Sequence, residues 1–183
     1  MPSPCHPAGC SRGLMLVELM VVVAVMALLL AFAAPSFNSL TASTQLTTTK
    51  NRLVLGLQKA RSEALSRSRD VVLCPSRDGL RCEEASDWSN GWLLYIDNNR
   101  NGRFDAVEPL LLSQNLDPQQ VSVRSNSGRR RITYRSLGES AGANATFVLC
   151  SRMRPDQGGQ VIVANSGRVR SLSFAPRSAC TQG

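Results

Sequence analysis

Residues 14–34 read LMLVELMVVVAVMALLLAFAA, an apolar run interrupted by a single charge, Glu18. As a helix, a run of this length extends about 30 Å, which is the thickness of the hydrocarbon core of a bilayer. We therefore expect residues 14–35 to form the transmembrane half of a helix, preceded by a polar leader, residues 1–13. A carboxylate in such a segment is costly unless it is paired, so Glu18 is expected to have a partner.

Helical periodicity continues beyond the apolar run. Leu46, Leu53, Leu57, Ala60 and Ala64 recur at helical spacings and form one apolar stripe. The pattern predicts a single long helix over about residues 14–70. Its second half is expected to pack on a globular head that begins at residue 36 and extends to residue 183.

The rest of the head alternates short apolar runs with turn residues, a pattern typical of strands. Eight strands are predicted, at residues 71–74, 92–96, 109–113, 121–124, 131–135, 146–150, 160–164 and 168–174. The chain is therefore expected to adopt an α+β fold, in which the long N-terminal helix packs on a mainly antiparallel sheet.

Positive charge is concentrated near the C-terminus. The whole chain has a net charge of +8, and residues 120–183 contain ten arginines and no lysine, against Glu139 and Asp156. Arginine binds phosphate through two parallel hydrogen bonds, which indicates a phosphate-bearing partner such as DNA. A solvated charged face is the alternative interpretation.

Six of these arginines form pairs whose members lie two residues apart. Residues two apart share a face of a strand, so each pair is expected to point one way. Two of the pairs follow Asn-Ser-Gly turns, and adjacent hairpins of this kind would present guanidinium groups to successive phosphates. The predicted DNA-contacting pairs are Arg168 with Arg170, Arg129 with Arg131, and Arg152 with Arg154.

Four cysteines follow the apolar segment, and two more, Cys5 and Cys10, precede it. A membrane-inserted segment followed by an even number of cysteines indicates an oxidising compartment with disulfides. Four cysteines allow three pairings. We expect Cys74–Cys82, which closes a short loop, and Cys150–Cys180, which ties down the C-terminus.

A metal site is suggested by one loop only. Residues 97–108 read DNNRNGRFDAVE and match a calcium-loop pattern whose ligands would be Asp97, Asn99, Asn101, Asp105 and Glu108. A predicted strand precedes the loop and Pro109 follows it, which does not fit the helices of an EF-hand. The alternative is a polar loop whose side chains satisfy its own backbone, with no cofactor.

An enzyme is not expected. The only histidine, His6, lies in the leader, so no Ser/His/Asp or Cys/His set can form in the head.

Residues 12–20, RGLMLVELM, resemble the cleavage signal of type IV pilins and type II secretion pseudopilins. The resemblance implies that a prepilin peptidase cuts after Gly13 and methylates Leu14, where the family usually has Phe. It also implies that Glu18 pairs with the N-terminal amine of a neighbouring subunit. The alternative is a secretory signal cut after Ala33, which would release a soluble protein.

The head resembles the FimT/GspH family of minor pilins and pseudopilins, through Cys74-Pro75, Cys82, Trp88, Gly91-Trp92 and the loop at residues 97–108. DNA-uptake minor pilins of this family carry a C-terminal G-R-x-R motif, which Gly167, Arg168 and Arg170 match.

The resemblance implies a single-pass protein of the bacterial inner membrane with a periplasmic head. It would assemble with other pilins and bind DNA non-specifically during natural transformation. A structural role without DNA binding, priming a secretion pseudopilus or a pilus tip, is the alternative.

The leader generates the first prediction. We expect intact-mass measurement to find a mature N-terminus at Leu14 bearing a methyl group, because Gly13 directly precedes the apolar run. Glu18→Ala should still insert in the membrane but assemble poorly, because it removes the only charge available to the neighbouring amine. A mature chain that begins at Ala34 would instead show secretion.

Overall fold

The computed structural model describes residues 16–126, 128–140, 142, 144–173 and 180, and for residues 30–38 it describes the helical backbone only. The helix α1 is Leu16–Arg67, close to its predicted bounds. The processing residues Gly13 and Leu14 lie outside the described residues. Glu18 lies in the first turn of α1 and is exposed, as are all its neighbours through Leu29.

The chain divides into two compact units, residues 1–38 and residues 39–183. Within the described part of the chain, no helix combines the length and the hydropathy of a membrane span. The transmembrane assignment of residues 14–35 stays a prediction.

Eight strands follow α1, at all eight predicted places, and they form two antiparallel sheets. Sheet A has the strand order β3-β2-β1-β5 and sheet B the order β4-β6-β7-β8. The predicted α+β fold is confirmed. The strands are β1 Asp70–Pro75, β2 Gly91–Asp97, β3 Leu110–Asn115, β4 Val121–Ser125, β5 Ile132–Tyr134, β6 Ala145–Ser151, β7 Gly158–Val163 and β8 Val169–Leu172.

One hydrophobic core joins the head half of α1 to both sheets. All five residues of the predicted helical stripe are buried in it. Sheet A contributes side chains such as Trp92 and Leu94, and sheet B contributes Phe147 and Leu149. Trp88, from the loop after β1, packs edge-on against Phe147 with ring centroids 5.0 Å apart. The inner faces of both sheets are therefore fixed against a single helix face.

The two sheets differ on their outer faces. Every residue of β2 is buried, because sheet A carries a second apolar cluster on its outer side. The cluster contains Val72, Leu93 and Tyr95, and loop residues Cys82 and Phe104 pack against it. In sheet B, the strands alternate between buried and more accessible residues, and the outer face carries the Cys150–Cys180 disulfide.

Both predicted disulfides, Cys74–Cys82 and Cys150–Cys180, are present. The first joins β1 to the loop that covers sheet A. The second joins the end of β6 to a residue near the C-terminus, with 5.7 Å between the Cα atoms. Cys180 is therefore held at sheet B.

The longer bridge should contribute measurably to stability. Cys150→Ser combined with Cys180→Ser opens a loop with a sequence separation of 30. On the chain-entropy model this change lowers the free energy of unfolding by about 3.5 kcal/mol, because the unfolded chain gains freedom. Urea titration of the oxidised wild type and the variant measures the difference. Equal urea midpoints would contradict the assigned contribution.

Candidate nucleic-acid interface

Arg168 and Arg170 lie on one side of the last strand. The chain enters β8 through a tight turn, in which the N–H of Gly167 donates to the carbonyl of Ala164 at 2.8 Å. Both arginines are exposed, whereas Val169 between them is half-buried and pairs with Val163 of the core. Because β8 is an edge strand of sheet B, the two guanidinium groups are accessible to a large partner.

These two arginines also lack acidic partners among the described residues, unlike most of their neighbours in the basic third. An arginine already paired with a carboxylate must give up that contact to bind phosphate, so a free one is the better phosphate ligand. The ion pairs formed by the other arginines are Arg130–Glu84 at 3.6 Å, Arg131–Glu84 at 3.4 Å, Arg135–Glu139 at 3.9 Å and Arg154–Asp156 at 3.1 Å.

The expectation of a second arginine hairpin at residues 126–131 is wrong. The strands on either side of this segment, β4 and β5, belong to sheet B and sheet A respectively, so they do not pair as a hairpin. Arg129 is half-buried, and Arg131 donates from Nη1 to the carbonyl of Gly102 at 2.8 Å. Arg131 therefore holds the loop at residues 97–108 in place, a structural role that does not require DNA.

Arg152 and Arg154 do not extend the Arg168/Arg170 pair. They follow β6 at the end of sheet B opposite to the start of β8, because β6 and β8 run in the same direction on either side of β7. Arg152 donates from Nε to the carbonyl of Pro118 at 2.7 Å. Arg154 makes two hydrogen bonds to Asp156, which raise the pKa of Arg154.

Gly167, the first residue of the motif, has a structural role. It is buried, with a φ of +76°, and a Cβ atom there would collide with the carbonyl oxygen of Gly138. It would also lie 3.1 Å from the ring of Tyr134, at the end of β5. The G-R-x-R motif thus combines a packing residue with two exposed cations.

The calcium-loop residues hydrogen-bond within their own loop. Asp97 accepts from the backbone N–H groups of Asn101 and Gly102 at 3.1 and 2.8 Å, and buried Glu108 accepts from those of Asn98 and Asp105 at 2.9 and 3.2 Å.

The side-chain amides of Asn99 and Asn101 donate to Asp105 and lower its pKa. Among the described residues, no three His, Cys, Asp or Glu side chains come together as metal ligands. These hydrogen bonds agree with the polar-loop interpretation, and the calcium ligand set stays a prediction.

Arg124 was missing from the predicted interface. It is exposed on β4, the other edge strand of sheet B, between the buried residues Val123 and Ser125. The alternation of Val121, Ser122, Val123 and Arg124 indicates this outward direction in the sequence itself.

Comparison with known proteins identifies the family. A family model for the type II transport protein GspH matches residues 49–167. The chain belongs to the GspH family. No curated protein sequence matches it significantly.

Solved structures of two other proteins share the fold. The type IV minor pilin FimU of Pseudomonas aeruginosa aligns with a TM-score of 0.51 and 21% identity over 74% of this chain and 91% of that one. The minor pseudopilin EpsH of the Vibrio cholerae type 2 secretion system aligns with a TM-score of 0.51 and 14% identity, over 70% and 97%. Family and fold together support a role as a minor pilin or pseudopilin.

Gly167→Ala tests the structural role of the motif glycine. We expect it to destabilise the head by about 1–3 kcal/mol more than Gly128→Ala, because the added methyl group collides with Gly138. Gly128 is a matched control: its φ is also positive, at +82°, and its Cβ position is open. Thermal melting of both variants gives the comparison, and equal melting temperatures would contradict the packing role.

Proposed function

We propose that this member of the GspH family is a minor pilin that binds DNA non-specifically through Arg168 and Arg170. The observation that carries the proposal is the exposure of these two arginines, close together at the start of an edge strand and free of acidic partners among the described residues. Phosphate contacts of this kind do not depend on base sequence, which suits a protein that takes up any DNA.

The proposed membrane anchoring and assembly of the protein rest on its N-terminal segment. Residues 14–35, cut from the leader by a prepilin peptidase, would anchor the protein in the bacterial inner membrane with its head in the periplasm. Assembly with other pilins would then repeat the arginine pair or present it at a filament end. Multiple contacts along one DNA molecule would raise a weak affinity through effective concentration.

The main alternative is a structural pseudopilin of a type II secretion system. The description of the matched family favours it, since that family is named for type II transport. In that case Arg168 and Arg170 would meet acidic residues of neighbouring subunits. The two functions differ in one measurable property, which is binding of the purified chain to DNA.

We expect the full chain in mild detergent to bind unrelated duplexes with micromolar or weaker affinity at physiological salt, as non-specific binders do. Contacts to about three to five phosphates give a slope of log affinity against log salt of roughly −3 to −4. Arg168→Gln with Arg170→Gln should flatten that slope by about 1.8, because two phosphate contacts are lost. Fluorescence anisotropy with a labelled duplex measures both quantities.

The control is Arg130→Gln with Arg135→Gln, which removes the same charge from two arginines that already have acidic partners. It should change the slope much less. Melting curves check that both double variants fold, since exposed substitutions typically cost under about 0.5 kcal/mol. Equal binding by the wild type and the Arg168/Arg170 variant would refute this site. No binding by the wild type would favour the structural pseudopilin.

A further inference from the structure

The turn that carries the arginine motif is in contact with a second turn and with the helix α1. The two turns, at residues 135–138 and 164–167, are each closed by a backbone hydrogen bond. Arg61 of α1 donates from Nε to the carbonyl of Gly138 at 3.0 Å. The same carbonyl oxygen lies 2.0 Å from the position that a Cβ atom would take on Gly167. Arg61 and the motif glycine therefore share one contact atom.

These contacts place the guanidinium group of Arg61 beside the start of β8. The two distances put its Nε atom within about 7 Å of the Cα atom of Gly167, and Arg168 is the next residue. Tyr134 gives a second link, because its ring would lie 3.1 Å from a Cβ atom on Gly167. Burial raises the pKa of Tyr134, and the positive charge of Arg61 opposes that rise. Arg61 and Arg168 are therefore neighbours, although they are far apart in the sequence.

Arg61 has N–H groups available for a further contact. A guanidinium group has five N–H donors, and the bond to Gly138 uses the one at Nε. The side chain is half-buried, and neither of its Nη nitrogens is a buried atom without a partner. Arg61 forms no ion pair in the described part of the chain, and the two acids next to it in α1 and in the turn are already paired. These pairs are Glu63–Arg67 and Glu139–Arg135.

The fold also fixes where this charge lies. Arg61 is in the part of α1 that the core holds, between the buried residues Ala60 and Ala64, and the bond to Gly138 orients its side chain. A side chain that is already ordered loses less entropy when it binds a ligand. One strand of DNA has a phosphate about every 3.4 Å along the helix axis, so cations within about 10 Å of one another can bind neighbouring phosphates of one backbone.

We propose that Arg61 is a third phosphate ligand of the DNA site formed by Arg168 and Arg170. One phosphate backbone passes from the start of β8 over the turn at residues 135–138 to α1. This inference rests on the proposed DNA-binding function and extends its site from the edge of sheet B to the helix.

The test uses the full chain in mild detergent and a labelled 30-base-pair duplex. Arg61→Gln should weaken binding roughly fivefold at physiological salt and flatten the slope of log affinity against log salt by about 0.9, because one phosphate contact is lost. Arg61→Lys keeps the charge and should keep the slope of the wild type. Fluorescence anisotropy over a series of salt concentrations measures both quantities.

Lys59→Gln is the matched control. Lys59 lies on the opposite side of α1, where its Nζ atom donates to the backbone carbonyl of Leu111 at 3.2 Å. Its replacement therefore removes the same charge and a hydrogen bond of the same kind, and it should leave the slope unchanged. Melting curves check the folding of each variant. Equal slopes for Arg61→Gln, Lys59→Gln and the wild type would overturn the inference and leave Arg61 with a structural role only.

A second measurement uses the wild type and does not depend on the folding of a variant. Saturating duplex should protect Arg61, Arg168 and Arg170 from an arginine-specific dicarbonyl reagent, as read by peptide mapping. Arg52, exposed on the opposite side of α1, should react at the same rate with and without DNA. An unchanged rate at Arg61 would overturn the inference.

The two proposals can fail separately. Protection of Arg168 and Arg170 without Arg61 would leave the proposed function standing and remove only the third ligand. Failure of the proposed function shows as a wild type that does not bind the duplex, or as wild-type binding that Arg168→Gln with Arg170→Gln does not reduce.

Discussion

Burial of one helical stripe is the constraint on which the head depends. Its two sheets are separate hydrogen-bonded units, and the same face of α1 covers the inner side of both. Leu53 and Leu57 are completely buried there, together with Ala60 and Ala64, whose small side chains let the strands approach closely. Because α1 already covers the inner faces, the second apolar cluster of sheet A can form only on its outer side. Sheet B carries the Cys150–Cys180 disulfide on its outer side.

Most of the fold was predictable from the sequence because it rests on local patterns. The helical stripe follows from its spacing, and the strands follow from apolar runs bounded by turn residues. The distribution of strands between two sheets was not predictable in this way. The sequence of residues 126–128 is typical of a hairpin turn, yet β4 before it and β5 after it belong to different sheets. Which sheet receives β5 depends on its pairing with β1, about sixty residues earlier, and no local signal specifies that contact.

In the candidate site, too, some features follow from local sequence and others depend on distant contacts. The outward direction of Arg168 and Arg170 follows from the alternation of a strand. Whether an arginine is free or already paired depends on the position of distant acids such as Glu84, which binds both Arg130 and Arg131. The hydrogen bonds of the loop at residues 97–108 could not be predicted from the local sequence either. Its residue types match a calcium loop at every position, but the hydrogen bonds made by Asp97 and Glu108 are visible only in the folded chain.

The division of the G-R-x-R motif between a packing glycine and two surface cations has a consequence for how such a protein can change over evolutionary time. Replacement of Arg168 or Arg170 leaves the core untouched, so drift can remove the cations at little cost to folding. Replacement of Gly167 disturbs the junction with Gly138 and Tyr134 and endangers the whole head. Related proteins that no longer bind the ligand are therefore expected to keep the glycine of this turn, even where both arginines have been replaced.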